Sequence, residues 1–70
     1  MYVVILYSIN LVNNQLDFDY INIFQSNEKI QSIIQEEKFK LYNKYMKKYE
    51  INLDHLDKYF KYDIIIKEIN

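Results

Sequence analysis

The sequence predicts a small α+β fold of order β-β-α-(short α)-β, a three-stranded, mainly antiparallel sheet (order 2-1-3) with one long helix packed on one face. Three observations predict it. Two β-rich runs flank an Asn-Asn pair near the start, a helical apolar periodicity occupies the middle, and a β-branched run closes the chain. Seventy residues make a single domain, 1–70, near the size where folding buries only about 60% of the unfolded chain's surface. Half the residues are hydrophobic and 17% aromatic, enough for a packed core and too apolar for disorder.

Residues 2–24, YVVILYSINLVNNQLDFDYINIF, read as a hairpin. A two-residue turn at Asn13-Asn14, two residues that tolerate positive φ, sets the register by calculation. Leu11 then faces Leu16, Ile9 faces Phe18, Tyr7 faces Tyr20, Ile5 faces Asn22 and Val3 faces Phe24. The other face carries Asn10 and Ser8 opposite Asp17 and Asp19, then Leu6 opposite Ile21 and Val4 opposite Ile23. Apolar residues therefore lie on both faces. One face is expected to meet the helix, and the second needs other cover.

The helix is expected to start in QSNEKIQSIIQ, with Ser26 as N-cap and Glu28 in the first turn. Ile30, Ile33, Ile34 and Leu41 share one side with Glu37, while Phe39, Tyr42, Met46 and Tyr49 form a second stripe. The helix then either kinks near residues 36–38 or carries apolar residues on two sides. After Glu50, Asn52 or Asp54 can cap a short helical turn whose Leu53, Leu56 and Phe60 face inward. YDIIIKEI reads as the third strand. Since the helix returns the chain, this strand is placed antiparallel beside strand one, whose uniform apolarity suits the centre. The helix is placed on the face of Val3, Ile5, Tyr7, Phe18 and Phe24.

Gly, Pro, Cys, Trp, Ala, Thr and Arg are all absent, and Ile, Asn, Lys and Tyr are abundant. An AT-rich genome accounts for much of this alphabet, which lowers the weight of any single Lys, Tyr or Asn as a functional signal. Without cysteine there is no disulfide and no thiolate ligand, so packing alone holds the fold. The apolar run from Tyr2 to Val12 lacks a basic leader and is too short to span a bilayer as a helix, so no membrane partner is expected and the location is taken as cytoplasmic. A net charge of −1 gives no overall attraction to nucleic acid or anionic lipid.

No catalytic motif, phosphate loop or metal signature appears, so no enzyme activity, cofactor or metal is expected. His55 between Asp54 and Asp57 is the one place an imidazole meets carboxylates, but no second His and no neighbouring nucleophile accompanies it. Asp17 and Asp19 with Ser8 and Asn10 form an oxygen-rich patch of the kind hard cations take, and its simpler reading is the solvent side of the hairpin tip. Lys40, Lys44, Lys47 and Lys48 gather on one side of the helix among tyrosines, a pattern suited to phosphate contact and base stacking. The absence of Arg removes the usual bidentate partner of phosphate and guanine. A solvated face is the simpler reading, and nucleic-acid binding stands as an alternative function.

The second helical stripe (Phe39, Tyr42, Met46, Tyr49) and the open end of the hairpin (Val4, Leu6, Ile21, Ile23) compete for cover that seventy residues hardly supply. They are expected to form a protein interface. The size, the absent cysteine, the strand-strand-helix-strand order, the AT-rich alphabet and the many acidic and aromatic residues resemble, as a class, small accessory proteins of phages and mobile elements, including anti-CRISPR and other anti-defence inhibitors, and the segment IFQSNEKIQSII resembles a strand-to-helix junction of small phage and bacterial domains. The resemblance implies inhibition by occlusion: a non-enzymatic protein-binding module occupying a functional surface of a host nucleic-acid-handling or defence protein, such as a defence nuclease. Asp17 and Asp19 would then add charge complementarity toward a basic target. A small structural homodimer, paired through an edge strand, is the remaining alternative.

Overall fold

The structure, a computed structural model, describes residues 1–70. Its elements are β1 (Tyr2–Asn10), β2 (Leu16–Phe24), α1 (Ile30–Tyr49), a 3-10 turn (Leu53–Lys58) and β3 (Phe60–Glu68). The sheet has the order β2-β1-β3, with both neighbours antiparallel to β1. Fold class, strand order and the single long helix are as the sequence predicts. The third strand begins at Phe60, two residues before the expected start, and the short helix is a 3-10 turn.

The hairpin register differs from expectation. Asn10 N–H donates to the Gln15 carbonyl at 2.9 Å and Asn14 N–H to the Asn10 carbonyl at 2.7 Å, so the loop comprises residues 11–14 instead of two residues. Asn10 organises it: its Oδ1 accepts from Val12 N–H at 2.8 Å and Asn13 N–H at 3.3 Å. This is an Asx-type side chain replacing backbone partners in a turn. Asn14 takes φ 60°, a left-handed conformation that Asn tolerates. The strands pair Ile9 with Leu16 and Tyr7 with Phe18, then shift at Asp19 so that Leu6 meets Tyr20, Ile5 meets Ile21 and Val3 meets Ile23. Asp19 is the extra residue of a β-bulge, and it inverts the side-chain parity of β2.

The helix also covers the other face of β1 from the one expected. It lies on Tyr2, Val4, Leu6, Ser8 and Asn10, the opposite of the expected Val3, Ile5 and Tyr7 face; of the residues expected beneath it, only Phe24 packs there, and Phe18 does not. The reason is volume. Ser8 and Asn10 are small, and the aromatic rings of the C-terminal half of α1 and the start of β3 fill the space above them. Tyr45, almost fully buried, stacks on Phe60 with ring centroids 4.2 Å apart, and Tyr49 accepts a hydrogen bond from Asn10 Nδ2 at 2.7 Å.

The core has two parts. Val4 packs with Ile30 and Ile34 under the first half of the helix, and Leu6 packs with Leu41, Tyr45, Leu56 and Phe60 under the second. The buried helical positions 30, 34, 41 and 45 make one stripe at steps of four and seven. The helix is continuous over 20 residues, with no break at 36–38. It begins at Ile30 with Lys29 at the cap position and no side-chain cap bond, so neither Ser26 as cap nor Glu28 in the first turn holds. Its end is better defined: Glu50 adopts φ 52°, and the N–H groups of Glu50 and Ile51 both bond the Met46 carbonyl. Leu53, expected to face inward, is exposed, whereas Leu56 and Phe60 are buried.

Candidate functional site

At the hairpin's polar end, Asp17 and Asp19 do not form an open cation patch. Lys44 of α1 reaches both, with Nζ 3.2 Å from Asp19 Oδ1 and 3.7 Å from Asp17 Oδ2. Burial works against the Lys44 charge, but the hydrogen bond it donates to Asp19 and the charges of Asp19 and Asp17 hold its pKa above the ordinary lysine value. The ammonium therefore sits where a metal cation would. Ser8 and Asn10 are buried on the helix side, and Asn10 spends its amide on the loop and on Tyr49. No group of three or more His, Cys, Asp or Glu side chains comes together in an arrangement that could hold a metal ion. His55 is exposed in the 3-10 turn.

The lysine row is partly spent within the fold. Lys40 pairs with Glu37 at 3.0 Å and Lys44 with Asp19 and Asp17, while Lys48 lies 5.5 Å from the centre of the Tyr49 ring. Lys47 and Lys48 sit in the last helical turn, where the helix dipole favours them. The four lysines do not present a joint unpaired field to a phosphate backbone.

The second helical stripe divides. Tyr42, Met46 and Tyr49 are partly buried against the core of Leu6, Leu41, Tyr45, Leu56 and Phe60, so they are packing residues first. Tyr42 donates to the Tyr62 hydroxyl at 3.1 Å. That bond, with burial in support, pushes the Tyr42 phenol up to about 12 and lowers Tyr62, the acceptor. Phe39 alone stands out, 64% exposed. Beside this stripe, Tyr42, Leu56, Phe60 and Tyr62 meet Asp54 and Asp57 in an open groove of about 650 Å³.

Val4 and Leu6, expected on an interface, are fully buried under the helix and are corrected to core. Ile21 and Ile23, expected on their face, lie on the opposite one at 59% and 56% exposure. They share the face of Val3, Ile5, Tyr7 and Phe18, where the helix is expected from the sequence. Pairing places Val3 with Ile23, Ile5 with Ile21, Tyr7 with Phe18 and Ile9 with Leu16 on this bare side. On the β3 side the same rows continue into Lys67, Ile65, Asp63 and Lys61.

Every residue that β1 and β2 give to this face is apolar or aromatic. Phe18 is 62% exposed, its ring 6.4 Å from that of Tyr7. Tyr7 also donates to Asp63 Oδ2 at 3.3 Å, tying the only acid of the face to its centre. No element of the chain covers it. A sheet layer normally buries one face on the core and wets the other, so its outer residues are polar. Here the helix side and the open side are both largely apolar, and the open side has no second layer. The bulge at Asp19 creates it, because Leu16 and Phe18 are even positions and Ile21 and Ile23 odd, and only a parity change puts all four on one side. That change of parity within LDFDYINIF is the signal in the sequence that reveals the face.

The overall shape agrees. The accessible surface of 5215 Å² exceeds the roughly 4,700 Å² expected of a monomer of this mass. The radius of gyration is 13.3 Å against about 11 Å for a compact chain of this length. The molecule is a slab of 41 × 22 × 14 Å, one sheet and one helix thick. Comparisons with protein-family models, with curated proteins and with solved structures find no match for this chain.

Proposed function

We propose that this chain is a non-enzymatic protein-binding module that works by occupying a partner's surface, in the manner of the phage and mobile-element inhibitors its sequence resembles. The observation that carries the reading is the bare apolar sheet face centred on Ile5, Ile21 and Phe18. It is flat, without a cleft that would exclude water from a reacting group, and it is broad enough for a macromolecular contact. A host protein that handles nucleic acid or defends against it is the target class the resemblance implies. Lys40 and Lys44 are held by carboxylates, which leaves the nucleic-acid alternative without a continuous basic patch.

The test places a photoreactive side chain at position 21, on the bare face, or at position 36, on the exposed side of the helix, in cells that produce the protein. Protein adducts from position 21 and none from position 36 support the reading. An absence of adducts from position 21, or equal labelling from both positions, overturns it.

A further inference from the structure

We infer that the partner seated on the bare sheet face is a second copy of this chain, so that two sheets stack face to face with the helices outside. The inference rests on the protein-binding reading and puts a second copy, in place of a host protein, on that face. Three nine-residue strands span a rectangle of roughly 30 × 14 Å at the usual rise and strand spacing. That is about 420 Å² in projection, and protruding side chains raise the accessible area above it, toward the roughly 800 Å² that a complex of standard size buries on each partner. Stacking would also supply the layer whose absence leaves the chain slab-shaped: aligned sheets pack about 10 Å apart with strands within about 30° of each other.

The face is complementary to itself. Its charges stand only on β3, with Asp63 two residues to one side of Ile65 and Lys67 two residues to the other. A two-fold axis through the row of Ile5, Ile21 and Ile65, running across the strands, lays β3 antiparallel over its own copy. Asp63 of each copy then lies against Lys67 of the other, while the Tyr7–Phe18 row faces the partner's Val3–Ile23 row. Lys61 falls toward the rim, where it remains in water. A two-fold contact must match a surface to itself, and this face does so in both its apolar area and its charges.

The first experiment is absolute mass in solution by light scattering across a range of concentrations, on the full chain and on Ile21→Lys, Ile23→Glu and Glu36→Lys. The wild type and Glu36→Lys should show twice the 8.7 kDa chain mass. Each bare-face variant should shift toward the single-chain mass, with the dimer dissociation constant raised at least about tenfold, as for a central interface position. Far-ultraviolet circular dichroism checks that α1 persists, and two variants of opposite charge guard against one failing to fold. A wild-type monomer at every concentration overturns the inference, as does a dimer that both bare-face variants leave intact, which would mean pairing through a sheet edge. If the chain is monomeric and position 21 still cross-links to another protein, the protein-binding reading stands without the dimer; if it cross-links to nothing, both fall.

Discussion

The two faces of the sheet invert the usual relation between polarity and burial. On the helix side, β1 contributes Ser8 and Asn10, both buried, and β2 contributes Asp17 and Asp19, which hold Lys44. On the bare side, β1 and β2 contribute only apolar and aromatic residues, several more than half exposed. Burial here follows fit to the covering element. The helix supplies large rings, Tyr45 and Tyr49, and these need small or hydrogen-bonding residues beneath them. The bare face, with β-branched residues at regular height, suits another flat surface. A mostly apolar core can therefore include small polar residues such as Ser8 and Asn10 where they fit beneath large rings, and an apolar face can lie open where no element fits it.

The sharpest way to break the comparison is a deletion under the helix. Leu41→Ala removes a buried side chain that touches Leu6, Tyr45, Leu56 and Phe60. It should cost about 2–5 kcal/mol, a large share of what a domain this small has, and a melting temperature lowered by 10 °C or more checks it. A shift of only a degree or two would mean that this side is not the structural core. Asn10→Ala comes next, since it removes the acceptor for Val12 and Asn13 N–H groups and the donor to Tyr49. It should cost roughly 1–3 kcal/mol, and a loss near zero would show that the polar residues of the covered face are incidental.

On the other face the same chemistry should have the opposite result. Ile21→Lys exchanges an exposed apolar residue for a charged one and should change monomer stability by no more than about 1 kcal/mol. Its melting temperature should also stop depending on protein concentration, whereas that of the wild type should rise with concentration through mass action on the paired state. Denaturation followed at two concentrations a hundredfold apart separates the two effects.

The sequence makes the element order, the sheet order and the helix legible because each rests on a robust rule: β-branched runs, helical spacing, and a helical return that makes β3 antiparallel to β1. It hides the face assignment because two local events cancel the calculated register. Asn10 closes a four-residue loop through its side chain, which no pattern of apolar residues announces, and the bulge at Asp19 then inverts β2. The loop moves the pairing by two residues, Ile9 meeting Leu16 where Phe18 was expected, and leaves each side chain on its face, whereas the single residue of the bulge moves Ile21 and Ile23 to the other side. Val4 and Leu6 thus join the core while Ile21 and Ile23 leave their company. The helix start is hidden as well: Ser26 and Asn27 belong to the loop, and Ile30 begins the helix without a side-chain cap. The second stripe is legible as apolar but not as buried, because the partners that cover Tyr42, Met46 and Tyr49 come from β1, β3 and the 3-10 turn as well as from the helix itself.

The smallest effect concerns the pH dependence of the covered face alone. Burial raises the pKa of Tyr45, and the neighbouring Ser8 hydroxyl, short of full hydrogen-bond geometry with any partner, opposes the rise. A phenol whose pKa is higher folded than unfolded contributes stability that is complete below the unfolded value near 10 and is lost as pH climbs through the folded value. Tyr42, pushed up to about 12 by its bond to Tyr62, and Lys44, held above its ordinary value by Asp19 and Asp17 against the cost of burial, lose stability in the same direction. Tyr62, whose pKa is lowered, works the other way and blunts the fall. Thermal unfolding should therefore be nearly flat from pH 7 to 9 and decline above 10. Tyr45→Phe keeps the ring stacked on Phe60 and removes only the ionisable hydroxyl, so its melting temperature should match the wild type within a few degrees at pH 7. Above pH 10 the variant's curve should fall less steeply. Parallel curves for the two proteins would mean that the Tyr45 hydroxyl reaches water, and that the space above Ser8 is more open than the tight stack on Phe60 implies.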